Sequence, residues 1–280
     1  MMRNGLSVDV EEWFQVGAFE RTIARDDWDD LESRVGHNTG AVLDLFAEAG
    51  VKATFFTLGW VAERHPALMR RIVAEGHELA SHGWDHRRVF TMDAEAFRAD
   101  LRRARGVLED AGGVAITGYR APSFSIDRRT PWAHRVLAEE GYAYSSSVAP
   151  IAHDHYGWPD APKRAWRPVA DAGLIELPIT LASLAGRKVV TGGGFFRLLP
   201  AAITHAAIAQ ANGEARPAVF YFHPWDMDPG QPRVANAPLR SKLRHYSRLG
   251  AMAGKLRGLV RRHEWGRVDQ VVAAEREKLS

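Results

Sequence analysis

The 280-residue chain is 46% hydrophobic and 25% charged, the balance of a soluble globular protein with one large core. It contains no cysteine, which excludes disulfides, thiolate metal sites and cysteine nucleophiles, so a metal must be held by His, Asp or Glu. The formal charge is only +3, yet Arg233, Arg240, Lys242, Arg244, Arg248, Lys255, Arg257, Arg261, Arg262 and Arg267 face Glu264 alone.

A basic run of this kind reads first as a solvated helix face; weak association with an anionic membrane surface is the partner it offers beyond that. No nucleic-acid-binding signature accompanies it. Met1-Met2-Arg3-Asn4 leads straight into a strand-like segment without an apolar stretch and cleavage site, and no apolar run approaches membrane-spanning length. The sequence as given therefore predicts a cytoplasmic chain with no transmembrane segment.

Residues 5–10 read as a first strand. Asn38-Thr39 offers a cap to a helix over 41–49, where Val42, Leu45 and Phe46 form an apolar stripe before Gly50. A second strand spans 53–58, Pro66 opens a helix that Gly76 ends, and 78–80 is a brief third strand. Asp93 caps a long helix to about 111, followed by a strand over 114–119 and a helix from Thr130-Pro131 to 140. Strands at 142–146 and 174–177, a helix over 200–212 and a last strand at 219–222 complete the alternation. Residues 151–173 and 182–198, the second with Gly192-Gly193-Gly194, are long for loops of a compact domain and read as functional or disordered.

Strands separated by helices pair in parallel through right-handed crossovers. About seven strands predict an α/β fold, a distorted (β/α) barrel with its active site at the C-terminal strand ends. Residues 1–226 form this domain, and 227–280 form a helical extension packed on it.

The polar residues after each strand then converge: Asp9, Glu11 and Glu12; His82 and His86; Arg120; Ser145; Glu176; His223. In extended chain Asp9 and Glu11 share one side while Val10 and Glu12 take the other. One carboxylate can bind a metal while the other takes a proton from water, although an acidic triplet after a strand is also an ordinary turn or helix cap. His82 and His86 flank Gly83, which permits a turn that aims both rings inward, with Asp85 or a carbonyl orienting a second ring nitrogen. Two histidines with Glu11 have the composition of a catalytic Zn²⁺ site, and Co²⁺, Ni²⁺, Mn²⁺ and Fe²⁺ fit as well. Arg120 can hold a carboxylate ionised in one rotamer, or form a structural ion pair. His223 can serve as a general acid or as a satisfied core histidine.

In this order and spacing, Ala53 to Phe56, Gly59-Trp60-Val61-Ala62-Glu63-Arg64-His65-Pro66, Gly76-His77-Glu78, residues 119–125, 192–199 and 221–229 resemble the NodB-homology polysaccharide deacetylases, carbohydrate esterase family four. The likeness is greatest to the exosortase and exopolysaccharide-associated branch with its C-terminal extension, where Arg244-His245-Tyr246 also fits. The resemblance implies a seven-stranded (β/α) barrel, one divalent metal (usually Zn²⁺ or Co²⁺) and hydrolysis of N-acetyl groups on the amino sugars of a polysaccharide or its precursor, releasing acetate.

By position, Asp9 becomes the catalytic base with Arg120 as its partner, His82 and His86 become metal ligands, and His223 becomes the general acid. Val10 stands where the family carries its second aspartate, so strand alternation selects Glu11 as the metal carboxylate, with Glu12 as the fallback. Ser145 stands where the branch tends to carry an aspartate, and Glu176 is the candidate to orient His223. Trp13, Trp84 and Trp225 lie near the motifs and suit either sugar stacking or the core. The competing expectations are a cyclic amide hydrolase on the same scaffold and a catalytically impaired carbohydrate-binding protein.

Overall fold

The computed structural model describes residues 2–152, 157–184 and 186–279. Part of the long loop expected over 151–173, residues 153–156, lies outside the described residues. The chain runs β1 (Asn4–Val10), α1 (Val35–Ala49), β2 (Thr54–Thr57), α2 (Gly59–Arg64), α3 (Pro66–Ala74), β3 (Glu78–Ser81) and α4 (Ala94–Gly112). It continues through β4 (Gly118–Tyr119), α5 (Ala133–Glu139), β5 (Tyr144–Ser145), β6 (Ile175–Glu176), β7 (Leu181–Leu184), β8 (Arg187–Val190), α6 (Gly193–Leu198) and α7 (Ala201–Gly213). Then come β9 (Val219–Phe222), α8 (Leu239–Tyr246), α9 (Met252–Arg262), β10 (Trp265–Gly266) and α10 (Val268–Lys278).

The expected parallel strands form a curved sheet in the order β9-β1-β2-β3-β4-β5-β6, with β10 as an eighth strand beside the start of β1. Alternation along β1 sorts its side chains. Leu6, Val8 and Val10 enter the core under the helices with Val42, Leu43 and Phe46 of α1. Ser7 and Asp9 face the interior of the ring. A second core of Phe56, Ala80, Tyr144, Ile175 and Val219 fills that interior and is closed by Val268, Val271 and Val272 of α10. The closure lies at the N-terminal strand ends, where Val268 N–H donates to Thr54 Oγ1 at 2.7 Å and Asp269 N–H to Glu78 at 3.2 Å.

The ring is incomplete between β6 and β9. Thr180 and Thr191 bridge that seam: Val219 N–H donates to Thr180 Oγ1, and Thr191 Oγ1 donates to the Val219 carbonyl, both at 2.7 Å. Gly192 then pairs with Tyr221 in parallel. A Cβ at Gly192, whose φ is 127°, would lie 2.2 Å from the Tyr221 carbonyl oxygen, so only glycine admits this approach.

Three expectations are corrected here. Residues 182–198, apart from residue 185, which lies outside the described residues, are largely regular: β7 and β8 pair as an antiparallel hairpin with Gly186 (φ 75°) just before β8, and α6 follows. Helix α1 begins at Val35, so Asn38 and Thr39 lie inside it instead of capping it; Asn38 is used to donate to Asp228 at 3.1 Å. The strand expected over 114–119 is regular only at Gly118–Tyr119. Asp93 caps α4 as expected, accepting from Ala96 N–H at 2.8 Å. No helix among the described residues is long and apolar enough to cross a membrane.

Candidate active site

Glu11, His82, Arg120, Ser146 and His223 each stand immediately beyond the C-terminal residue of β1, β3, β4, β5 and β9. Parallel pairing brings those ends to one rim. Arg120 is the anchor. Its Nη1 donates to Ser7 Oγ and to Asp9 Oδ1, both at 2.7 Å, while Nε and Nη2 reach the carbonyl and hydroxyl of Ser146 at 3.1 Å. The guanidinium is fully buried and lies 4.1 Å over the Phe56 ring. Asp9 is therefore held in one rotamer by a charge-assisted bond inside the ring.

The Arg120 carbonyl also fixes His82, whose Nδ1 is 2.8 Å away. Because a carbonyl only accepts, the proton sits on Nδ1 and Nε2 keeps its lone pair for a metal. Of the two orienting groups expected for the histidine pair, the carbonyl serves; Asp85 pairs instead with Arg25 at 2.9 Å. His86 returns to the site through a tight turn in which Gly83 has φ 80° and His86 itself φ 61°. Both carboxylate oxygens of Asp100 accept from Trp84 N–H at 3.2 and 3.3 Å and brace that turn.

One ligand atom from each of Glu11, His82 and His86 lies within 4.8 Å of the others. Glu11 Oε2 is 2.9 Å from His86 Nε2, yet this buried oxygen receives no aligned hydrogen bond. Two ligand atoms facing one another without a proper bond are what a shared cation would satisfy, so the donor set fits a divalent ion. Glu12 faces the other way. Its carboxylate accepts from Ser33 Oγ at 2.5 Å, Arg34 N–H at 3.1 Å and Val35 N–H at 3.2 Å, and so caps α1. Val10 points to the outer core, so its substitution for an acidic residue empties no position in this cluster.

His223 Nε2 lies 3.7 Å from Glu11 Oε1. The group that orients His223 is Asp226, not Glu176: Asp226 Oδ2 is 3.0 Å from His223 Nδ1 and also accepts the His223 backbone N–H at 3.0 Å. Arg197 pairs with the other oxygen of Asp226. Glu176 is consumed elsewhere, accepting from Ser147 and Val148 N–H at 2.8 and 2.9 Å and facing His134 Nε2 at 3.0 Å.

Burial opposes charge on all these groups, and their neighbours decide the outcome. Burial raises Glu11, but His86 and His223 outweigh it and bring the carboxyl down to about 2. Burial lowers His82 to about 4, against the pull of Asp9. For His223, burial is overcome by Glu11 and Asp226, which lift the imidazole to about 9 and favour its protonated form.

The three tryptophans are all buried. Trp13 packs edge-on against Phe14 and donates to the Glu32 carbonyl at 3.0 Å, and Trp84 lies under the Arg103 guanidinium at 3.5 Å. Neither presents a face to a sugar, because each indole is covered by core or cation. Trp225 does belong to the site: its indole N–H donates to Glu11 Oε1 at 3.1 Å, and its ring stacks on His223. Ser145 is buried and donates to Ser147 Oγ at 2.7 Å, which in turn accepts from Ala121 N–H. A cleft of about 290 Å³ lined by Gln15, Glu20, Arg25, Asp26 and His86 lies alongside the candidate ligands.

Sequence reasoning missed Ser7, Ser146, Arg197 and Asp226. Only Asp226 had a local signal: it stands three residues after His223, the spacing of a reciprocal cap around Pro224.

Residues 26–144 match the family described as polysaccharide deacetylase, and residues 146–273 match a domain of unknown function, DUF3473. A chitooligosaccharide deacetylase of Rhizobium leguminosarum bv. trifolii is 40% identical over 75 residues, 27% of this chain and 35% of that protein. A peptidoglycan-N-acetylglucosamine deacetylase of Bacillus cereus is 31% identical over 115 residues, 41% of this chain and 40% of that protein. The chain thus spans well under half the length of these curated relatives. Among solved structures, a Mycobacterium smegmatis protein assigned to the polysaccharide deacetylases shares the fold at a TM-score of 0.63 and 21% identity, covering 100% of this chain and 93% of that one. PuuE allantoinase shares it at 0.59 and 16%, covering 96% and 88%.

The first of these matches marks a polysaccharide deacetylase domain of the NodB type over residues 26–144. The chain joins that segment, under half of its length, to a DUF3473 segment as its C-terminal part. The site is assembled across these matches: His82, His86 and Arg120 fall in the first segment, His223 and Asp226 in the second, and Asp9 and Glu11 before both.

Proposed function

We propose that the chain hydrolyses N-acetyl groups on the amino sugars of a polysaccharide or its precursor, releasing acetate, with one divalent metal held by Glu11, His82 and His86. The observation that carries this reading is the buried three-ligand cluster flanked by the Asp9–Arg120 pair and by His223. Two imidazoles and one carboxylate favour Zn²⁺, with Co²⁺ or another first-row ion as a replacement. The metal, when bound, supplies Lewis acidity toward an acyl oxygen and acidifies water.

The chain supplies the rest. Asp9, fixed by Arg120, takes the proton from the attacking water. His223, kept protonated by Asp226 and Glu11, gives a proton to the sugar nitrogen as the C–N bond breaks. Trp225 holds Glu11 in its rotamer and supports the His223 ring. The cleft beside His86 gives a flanking sugar unit room outside the reacting position.

A place in the exopolysaccharide-associated branch belongs to the same proposal and rests on the motifs at 192–199 and 221–229. So does the division at 226, after which residues 227–280 form a C-terminal extension packed on the barrel. The test offers the Zn²⁺-loaded protein N-acetylglucosamine oligomers and, in parallel, a cyclic ureide. Acetate from the oligomers with an intact ureide is expected; ureide ring opening without acetate would replace this reading by a cyclic amide hydrolase.

A further inference from the structure

Between Asp228 and Glu264 the chain carries nine Arg and Lys and no acidic residue. Within that stretch α8 turns its apolar side outward. Leu239 is 71% exposed and Leu243 59%, the two most exposed large hydrophobic residues described. At about 100° per residue, these leucines share one face, Arg240 and Arg244 flank it on one side and Lys242 on the other. His245 lies on the opposite, buried face and stacks on Trp225 at 4.3 Å. Beside the helix is a cleft of about 340 Å³ lined by Arg233, Lys242, Leu243, Tyr246 and Ser247.

We propose that α8 docks the chain on an anionic phospholipid bilayer. Leu239 and Leu243 enter the boundary between headgroups and acyl chains, while Arg240, Lys242 and Arg233 meet lipid phosphates. An apolar stripe between cations is the arrangement of a helix that lies in a membrane interface. A second copy of the chain fits poorly, because a two-fold contact would set two acid-free cationic segments against each other. A hydrated polyanion answers the charge but offers the leucines nothing. Through His245 and Trp225, the docked helix lies against the candidate active site and would hold its rim at the lipid surface. This inference stands on α8 and the basic segment around it and does not depend on the deacetylase reading.

The test is co-sedimentation of the full chain with vesicles of mixed phosphatidylglycerol and phosphatidylcholine, and with phosphatidylcholine alone. Binding is expected to the mixed vesicles only and to weaken with salt. The double variants Leu239→Ser with Leu243→Ser, and Arg240→Glu with Lys242→Glu, should each lower the partition coefficient about tenfold or more. Because the chain has no cysteine, Leu239→Cys carries a single polarity-sensitive fluorophore, whose emission should shift to the blue on anionic vesicles. No binding to mixed vesicles, no spectral shift, or binding unchanged by the serine pair would overturn the proposal. So would a soluble polyglutamate binding as tightly as the vesicles.

Discussion

The indole N–H of Trp225 donates to Oε1 of Glu11 across 3.1 Å, while the same ring lies flat on His223 at 4.7 Å and 12°. One side chain from the segment after β9 thus touches both the carboxylate proposed to hold the metal and the imidazole proposed to protonate the leaving group. Partners of this kind are typically worth about 10–100-fold in metal affinity or activity. Trp225→Phe, which keeps a stacking ring and removes the donor, should weaken Zn²⁺ binding in a chelator competition by about that factor. Unchanged affinity would show that Glu11 needs no such bond.

The adjacent carboxylates separate into two roles. Glu11→Gln should abolish stoichiometric metal by elemental analysis. Glu12→Gln should keep the metal and lose about 1–2 kcal/mol in urea unfolding, because its carboxylate caps α1. The reverse pattern would move the ligand to Glu12.

Asp226 and Glu176 are distinguished in the same way. Asp226→Asn should lower kcat about tenfold or more with little change in KM, through loss of the anion behind His223. Glu176→Gln should instead lower thermal stability and leave the kcat pH profile in place, because Glu176 serves His134 and two backbone N–H groups. A kcat loss confined to the Glu176 variant would restore it as the orienting group.

At the closed end of the barrel, burial and Asp269 raise the Glu78 carboxyl from its ordinary value of 4.5 to about 7. A carboxyl whose folded pKa exceeds the unfolded one favours the fold while protonated. That contribution is complete below about 4.5 and is lost as pH rises through about 7. Glu78→Gln should therefore gain on the parent between pH 5 and pH 8, by on the order of 2 kcal/mol, or about 5 °C in Tm. A stability difference independent of pH across that window would contradict the assignment.

Much of this site was legible because it is a strand-end site. Period-two alternation put Asp9 and Glu11 on the inner side of β1, and the breaks after β3, β4 and β9 exposed His82, Arg120 and His223 as neighbours. Glu176 occupied an equivalent strand-end position and was misread, because alternation reports which face a side chain takes and not which partner claims it. Ser7, Ser146 and Arg197 gave no signal; they matter only through where Arg120 and Asp226 reach. The hairpin β7–β8 was hidden behind Gly192-Gly193-Gly194, where Gly192 and Gly193 serve a close approach to Tyr221 and not a flexible loop. β10 is two residues long and exists only because β1 offers it an edge, so no local pattern could announce it.

Acetate release from N-acetylglucosamine oligomers by the chain loaded with one Zn²⁺, beside Asp9→Asn loaded equally, tests the central claim most directly. The account predicts steady acetate production by the parent and a loss of about a hundredfold or more in the variant with metal still bound. A parent that binds the metal in Glu11, His82 and His86 yet releases no acetate from any acetylated glycan would contradict it.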